Sequence, residues 1–170
     1  MKGFKLLGLV ILLGVFLVPI KVDAYVLQNW WLGGKNKIFR YNQPATKHSL
    51  QVAHAYIHWN KQSPGTIQRM DNAANVRLSD VYRVNVTGGT TFSTGKIEFN
   101  DYWMIKNNHY GTSKNREEYS FNIVTHEFGY ALGLDHGQRS NYMMYRGMNP
   151  RNNLPTADDK AGMLASKKKW

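Results

Sequence analysis

The residues best suited to chemistry lie between Thr125 and Gly137, in the stretch THEFGYALGLDHG. His126 offers an imidazole, Glu127 a carboxylate beside it, and His136 a second imidazole further on. Residues four apart on an α-helix lie about 40° apart around its axis, so His126 and position 130 share a face. Tyr130 occupies that position. Gly133 adopts positive φ at little cost, so it can end the helix and let the chain double back. The return would carry His136 to the point that His126 faces. Such a set suits zinc, which in hydrolytic sites takes three protein ligands and keeps a fourth position for water. Bound water then has a pKa of about 7. Glu127 stands where it can act as general base on that water without itself binding the metal.

His126 to His136, HEFGYALGLDH, resembles the metzincin signature H-E-x-x-H-x-x-G-x-x-H, and most of all its matrixin branch. Asn141-Tyr142-Met143-Met144-Tyr145 resembles the Met-turn, and Pro155 to Gly162 resembles the start of the matrixin C-terminal helix. The resemblance runs from about Trp30 to the end of the chain and is strongest after Ser120. It implies an α+β, metzincin-like (zincin) fold with a twisted mixed sheet of about five strands, two long helices, a Met-turn and a C-terminal helix. It implies one catalytic Zn2+ on His126 and His136, Glu127 as catalytic base, and Met144 as an apolar floor beneath the metal. The substrate would be an extended peptide or protein. Gly95-Lys96-Ile97-Glu98-Phe99 would be the sheet-edge strand along the cleft, where a substrate backbone adds as a further strand.

Tyr130 stands where the signature has its second histidine, and three readings follow. The phenol can bind the metal as an oxygen ligand, since a dication favours the phenolate, giving a metalloendopeptidase attenuated by the missing imidazole. The chain can be an inactive metzincin-fold pseudoenzyme that works by binding. Or Tyr130 is a core aromatic and the cleft holds no metal. The last reading explains poorly why His126, Glu127, Gly133, His136 and Met144 are all in place.

The elements that must hold these residues follow in chain order. Met1 to Lys5 is short and basic, Leu6 to Ile20 is almost wholly apolar, and Val22-Asp23-Ala24 has the form of a cleavage site. Residues 1–24 therefore read as a secretory signal peptide. The apolar run is short for a membrane span, which needs about 20 residues. Residues 25–170 then form one catalytic domain, exported and secreted, with no membrane span after cleavage. The chain has no cysteine, and so lacks the propeptide thiol that keeps many matrixins latent.

The chain carries 22 basic and 11 acidic side chains. Without residues 1–24 the balance is 19 to 10, a net charge near +9. This favours acidic partners such as an anionic surface polymer. The basic residues are scattered, with one tight run at Lys167-Lys168-Lys169, so a solvated surface is the plainer explanation. Nothing points to a specific nucleic acid.

Lys37 to Tyr41 reads as a first strand after a Gly33-Gly34 turn. Lys47 to Gln62 reads as a helix capped by Thr46, with Leu50, Ala53 and Ile57, and less regularly Tyr56 and Trp59, on its apolar side. Thr66 to Arg69, Asn75 to Leu78, Tyr82 to Val86 and Gly95 to Phe99 read as strands, with Gly88-Gly89 a turn. His54 and His58, four apart, read as exposed helix histidines, and His48 and His109 as surface residues. Asn107 to Asn115 reads as a loop without the histidine- and aspartate-rich pattern of a structural zinc site. No structural zinc is expected and calcium is left open, as no acidic loop is recognisable. Glu117 and Glu118 fall just before or within the first turn of the site helix, which would bury Phe121, Val124, Phe128, Ala131 and Leu132.

Overall fold

The computed structural model describes residues 25–34, 38–42, 46–84, 87–106, 113–147, 152 and 154–170. The predicted signal peptide, Lys37, His109 and most of the 107–115 loop lie outside them. The element order is β1 (Val26–Leu27), β2 (Phe39–Asn42), α1 (Ser49–Gln62), β3 (Ile67–Arg69), β4 (Val76–Val81), β5 (Gly89–Phe92) and β6 (Lys96–Asn100). A π-helical turn at Tyr102–Lys106, α2 (Ser113–Ala131), β7 (Leu134–Asp135) and α3 (Ala157–Lys169) complete it. No described helix is long and apolar enough to cross a membrane.

Five strands form a mixed sheet in the order β3-β2-β4-β6-β5. The first four run parallel, with Phe39 opposite Ile67, Tyr41 opposite Val76 and Leu78 opposite Ile97. Strand β5 is antiparallel to β6, with Gly89 opposite Phe99 and Phe92 opposite Lys96. The α+β architecture with a five-stranded mixed sheet is thus as expected. The edge strand is not. Strand β6, which contains Lys96 to Phe99, is paired on both sides, and β5 is the edge strand next to it. The reason lies in Gly88-Gly89. Read as a turn, this pair instead opens β5, because only residues without a side chain fit there. A Cβ on Gly88 would crowd Ile123, and one on Gly89 would crowd the Glu127 side chain. Glu98 of β6 is buried, accepts from Lys96 at 2.5 Å and forms an ion pair with Arg83 at 2.8 Å.

Tyr82 to Val86 is not a strand in its described part. Asn100 takes over the backbone pairing there: its side-chain oxygen accepts from the Arg83 amide at 3.0 Å, and its amide group donates to the Arg83 and Thr87 carbonyls at 2.8 and 3.1 Å. With those groups satisfied by a side chain, no ladder is needed.

Helix α1 presents a different face from the one expected. Leu50 and Ile57 are 61% and 47% exposed, while Val52, Ala55 and Trp59 are fully buried. Both sets have helical spacing, offset by two residues or about 200°. Trp59 decides between them. It brings the largest side chain to the core, and its indole donates to the Thr125 carbonyl of α2 at 2.9 Å, satisfying its polar atom on burial. The helix begins at Ser49 with His48 as its cap residue, so Thr46 does not cap it. The Thr46 hydroxyl accepts from the His48 amide and donates to Asp80 at 2.7 Å.

His48 is 4% exposed, contrary to the surface position expected of it, and bonds Asp101 at 2.9 Å. His54 and His58 are half-buried rather than exposed. Their ring centroids lie 4.3 Å apart with the planes tilted by 44°, and His54 packs on Phe121 of α2. Burial and the neighbouring cations push His54 down to about 4. Helix α2 starts at Ser113, so Glu117 and Glu118 lie beyond its first turn. Of its predicted buried residues, Val124, Phe128, Ala131 and Leu132 are in the core, with Ile123 beside them, and Phe121 is half-buried.

Candidate metal centre

Helix α2 ends one residue beyond Tyr130. Gly133 takes φ +80 and donates its amide to the Tyr130 carbonyl at 2.8 Å. A side chain there would be strained by the backbone and would overlap the Ser166 hydroxyl. The turn feeds β7, which pairs antiparallel with β1, Val26 opposite Asp135 and Leu27 opposite Leu134. The Gln28 amide adds a bond to the Gly133 carbonyl at 2.9 Å. The returning segment is thereby fixed immediately before His136.

Three rings converge at this point. The His126 and His136 centroids are 5.3 Å apart, those of His126 and Tyr130 4.9 Å, and those of Tyr130 and His136 5.4 Å. His126 donates from Nδ1 to the Met143 carbonyl at 2.9 Å, which leaves Nε2 as the nitrogen with the free lone pair. Burial pushes His126 down to about 4, opposed by the Met143 bond, and burial also lowers His136. Both rings are therefore neutral near pH 7, the form that binds metals. The Tyr130 hydroxyl lies 2.5 Å from His136 Nε2. Burial first, then the negative charges of Glu127 and Asp135, raise Tyr130 above its ordinary value.

Glu127 is buried beside His126, and burial pushes its carboxyl up to about 7. The Thr91 hydroxyl of β5 lies 2.6 Å from Glu127 Oε2 and 3.0 Å from its carbonyl. Thr91 belongs to a strand the sequence did not reveal, so its partnership with Glu127 was not legible. Asp159 also went unrecognised. It is buried at the start of α3 and accepts from the Met143 and Met144 amides at 3.1 and 3.3 Å and from the Thr156 amide and hydroxyl at 2.8 and 2.6 Å. The available signal was the Thr156-x-x-Asp159 spacing of a capping box. Asp159 thus fixes the turn whose Met143 carbonyl orients His126. Met144 is buried against Gly129, where any Cβ would collide with its sulfur.

The three rings and Glu127 open into a cleft of about 480 Å³. Thr87 to Thr91 form one wall and Gln28, Trp30 and Arg146 contribute elsewhere. A second group of metal-type donors, His48, Asp80 and Asp101, lies outside this cleft with its donor atoms within 4.8 Å of one another. Its oxygens are already engaged: those of Asp80 by the Thr46 hydroxyl and Lys47 amide, those of Asp101 by His48 and the Lys47 ammonium. That group is a closed polar network joining α1 to the sheet.

A family model for the matrixins, peptidase family M10, matches residues 37–165. The chain belongs to the matrixin family. Two solved structures share the fold. The structure titled the GM1-bound form of the ECX AB5 holotoxin aligns with TM-score 0.59 and 13% identity, covering 85% of each chain. Archaemetzincin from Methanopyrus kandleri aligns with TM-score 0.58 and 12% identity, covering 79% of this matrixin and 98% of that chain. No curated protein sequence matches.

Matrixin membership implies zinc, and the two imidazoles fit it. Two histidines bound tetrahedrally through nitrogen at about 2.0–2.1 Å hold their ring centroids about 5 Å apart, close to the 5.3 Å found here. His126 also has the outer hydrogen bond that orients a metal-bound imidazole.

Proposed function

We propose that this matrixin is a secreted zinc-dependent metalloendopeptidase. The observation that carries the reading is the approach of His126 and His136 to one point, with the buried Glu127 carboxyl beside them and a free strand edge along the same cleft. His126 and His136 would hold the metal, with Tyr130 at the third position. Zinc bound there supplies Lewis acidity to the reacting carbonyl and water.

The chain's own residues supply the rest. The edge of β5 aligns an extended peptide by backbone hydrogen bonds. Glu127 takes a proton from the attacking water and delivers it to the leaving amine as the peptide C–N bond breaks. Its raised pKa suits both halves of that transfer, because it accepts and releases a proton near neutral pH. Thr91 holds Oε2 so that the carboxyl keeps one orientation. Met144 packs beneath the helix, and Asp159 fixes the turn that carries it. Residues 1–24 direct export, and the mature chain begins at Tyr25.

The Tyr130–His136 hydrogen bond favours a second reading, in which the site binds metal too weakly for turnover. The chain would then be an inactive metzincin-fold module whose basic surface binds an anionic polymer. Two of the three lysines in the C-terminal run are engaged within the fold, Lys167 with Ser63 and Thr66 and Lys169 with the Gln28 carbonyl. The peptidase reading therefore stands first.

Zinc content of the purified protein and cleavage of an unstructured protein substrate decide between them. The peptidase reading expects bound zinc and cleavage that Glu127→Ala abolishes. Cleavage gained only in Tyr130→His supports the second reading.

A further inference from the structure

We propose that Arg146 reads the substrate, so that the cleft selects peptides carrying a carboxylate close to the bond to be cut. This rests on the peptidase reading above. Among the described residues, the cleft lining holds a single lysine or arginine, Arg146, and two carboxyls, those of Glu127 and Asp135. Arg146 is exposed and its backbone position is fixed from both sides of the site. The Gly137 amide donates to the Met144 carbonyl at 2.6 Å, and Tyr145 forms a parallel bridge with Gly137. The residue before Arg146 is thereby joined to the residue after His136. The positive charge of Arg146 acts on both Tyr130 and His136, as expected of a group standing near the point where the three rings meet.

The guanidinium is not committed to the fold. Arg69 pairs with Asp71, Arg83 pairs with Glu98, and Arg139 lies over the Tyr142 ring. Arg146 has no ion pair or hydrogen bond among the described residues. The two carboxyls of the cleft are held elsewhere. Asp135 Oδ1 accepts from the His136 amide at 2.7 Å and lies 3.8 Å from His136 Nδ1, and Glu127 Oε2 is held by the Thr91 hydroxyl at 2.6 Å.

This arrangement discriminates by charge. A planar guanidinium with its donors unengaged matches a carboxylate through two parallel hydrogen bonds. A cationic side chain would meet carboxyls that already have partners and would be repelled by Arg146. An uncharged side chain gains neither effect. Backbone pairing along β5 accepts any extended peptide, so Arg146 supplies a selection that the strand does not. The chain as a whole, with 22 basic and 11 acidic side chains, draws acidic peptides from a distance, and Arg146 sorts them at the site. The carboxylate can belong to a Glu or Asp side chain or to the end of the peptide.

The test uses the zinc-loaded protein and peptides that differ in Glu against Gln, one position at a time around the cleavage site, and in a free against an amidated C-terminus. Cleavage is read as kcat/KM, and binding is read as fluorescence anisotropy with the Glu127→Ala protein. The acid should be preferred over its amide by about tenfold in both readouts. The preference should vanish in Arg146→Ala, return in part in Arg146→Lys, and turn toward lysine peptides in Arg146→Glu. It should also shrink between about 0.1 and 1 M salt, where the pair is screened. A preference at a Glu position assigns the carboxylate to a side chain, and one for the free C-terminus assigns it to the chain end; either supports the inference. Equal handling of acid and amide at every position, or a preference that survives Arg146→Ala, overturns it. If no peptide is cleaved but binding still prefers the acid and loses that preference in Arg146→Ala, the peptidase reading fails and the carboxylate site stands.

Discussion

Replacing Asp159 by asparagine tests whether the Met-turn is held from α3. The Asp159 carboxylate receives three backbone amides and one hydroxyl. Three of these four reach Oδ2, and the Met144 amide reaches Oδ1. An asparagine that keeps its carbonyl at the Oδ2 position must turn its own N–H groups toward the Met144 amide. One charge-assisted bond is lost, the others weaken, and a buried amide is left facing a donor. Hydrogen bonds to charged groups contribute about 1.5–3 kcal/mol, and an unsatisfied buried group costs about 1–3 kcal/mol. Because neighbouring effects do not add fully, the loss should be about 3 kcal/mol. For a domain of this size that lowers Tm by about 6–12 °C. The same substitution should raise the zinc dissociation constant about tenfold, since the Met143 carbonyl orients His126 from outside the metal's own ligands. Thermal unfolding of metal-free protein and competitive zinc titration measure the two effects separately. A melting temperature within about 2 °C of the parent, with unchanged zinc affinity, would refute the view that α3 supports the site.

Thr91→Val removes the hydroxyl at Glu127 and should lower kcat about tenfold with little change in KM, as steady-state cleavage assays would show. Gly133→Ala forces alanine to φ +80 at a backbone cost of about 1–2 kcal/mol, and its overlap with Ser166 adds to this. Ser166→Ala should relieve only the overlap, because that hydroxyl has no hydrogen-bond partner among the described residues, and denaturant unfolding of the double variant checks it. His54, held near 4 when folded, takes up its proton more readily once unfolded, where its ordinary value is about 6.5. Its contribution is therefore intact above about pH 6.5 and is lost as pH falls toward 4. Discounted for its partial exposure, the loss is about 1–2 kcal/mol. His54→Leu should flatten stability against pH across that window, and a parallel parent profile would contradict the assignment.

The site helix was readable because its demands are local. The histidine and glutamate positions, the glycine that turns the chain and the second histidine all lie within one short stretch. The helix α1 face was not readable, because two apolar stripes of equal spacing compete and only a tertiary bond from Trp59 to α2 selects one. Strand β5 was hidden by its own fitness for the place, since a pair of glycines reads as a turn until Ile123 and Glu127 are seen to fill the space their side chains would occupy. Tyr82 to Val86 looked like a strand because nothing in the sequence shows that Asn100 would satisfy the backbone instead. His48 looked exposed because its partner, Asp101, is distant in the chain.

Gly129 places the Met144 sulfur and the Trp59 ring around a single point on α2. Only the thickness of a bare peptide separates Met144, in the turn that carries the Met143 carbonyl, from the joint between the two long helices. Loosening that joint releases the turn in the same movement. On heating, the cleft and the domain should therefore be lost in a single transition, with no intermediate temperature at which a folded protein with a released turn accumulates.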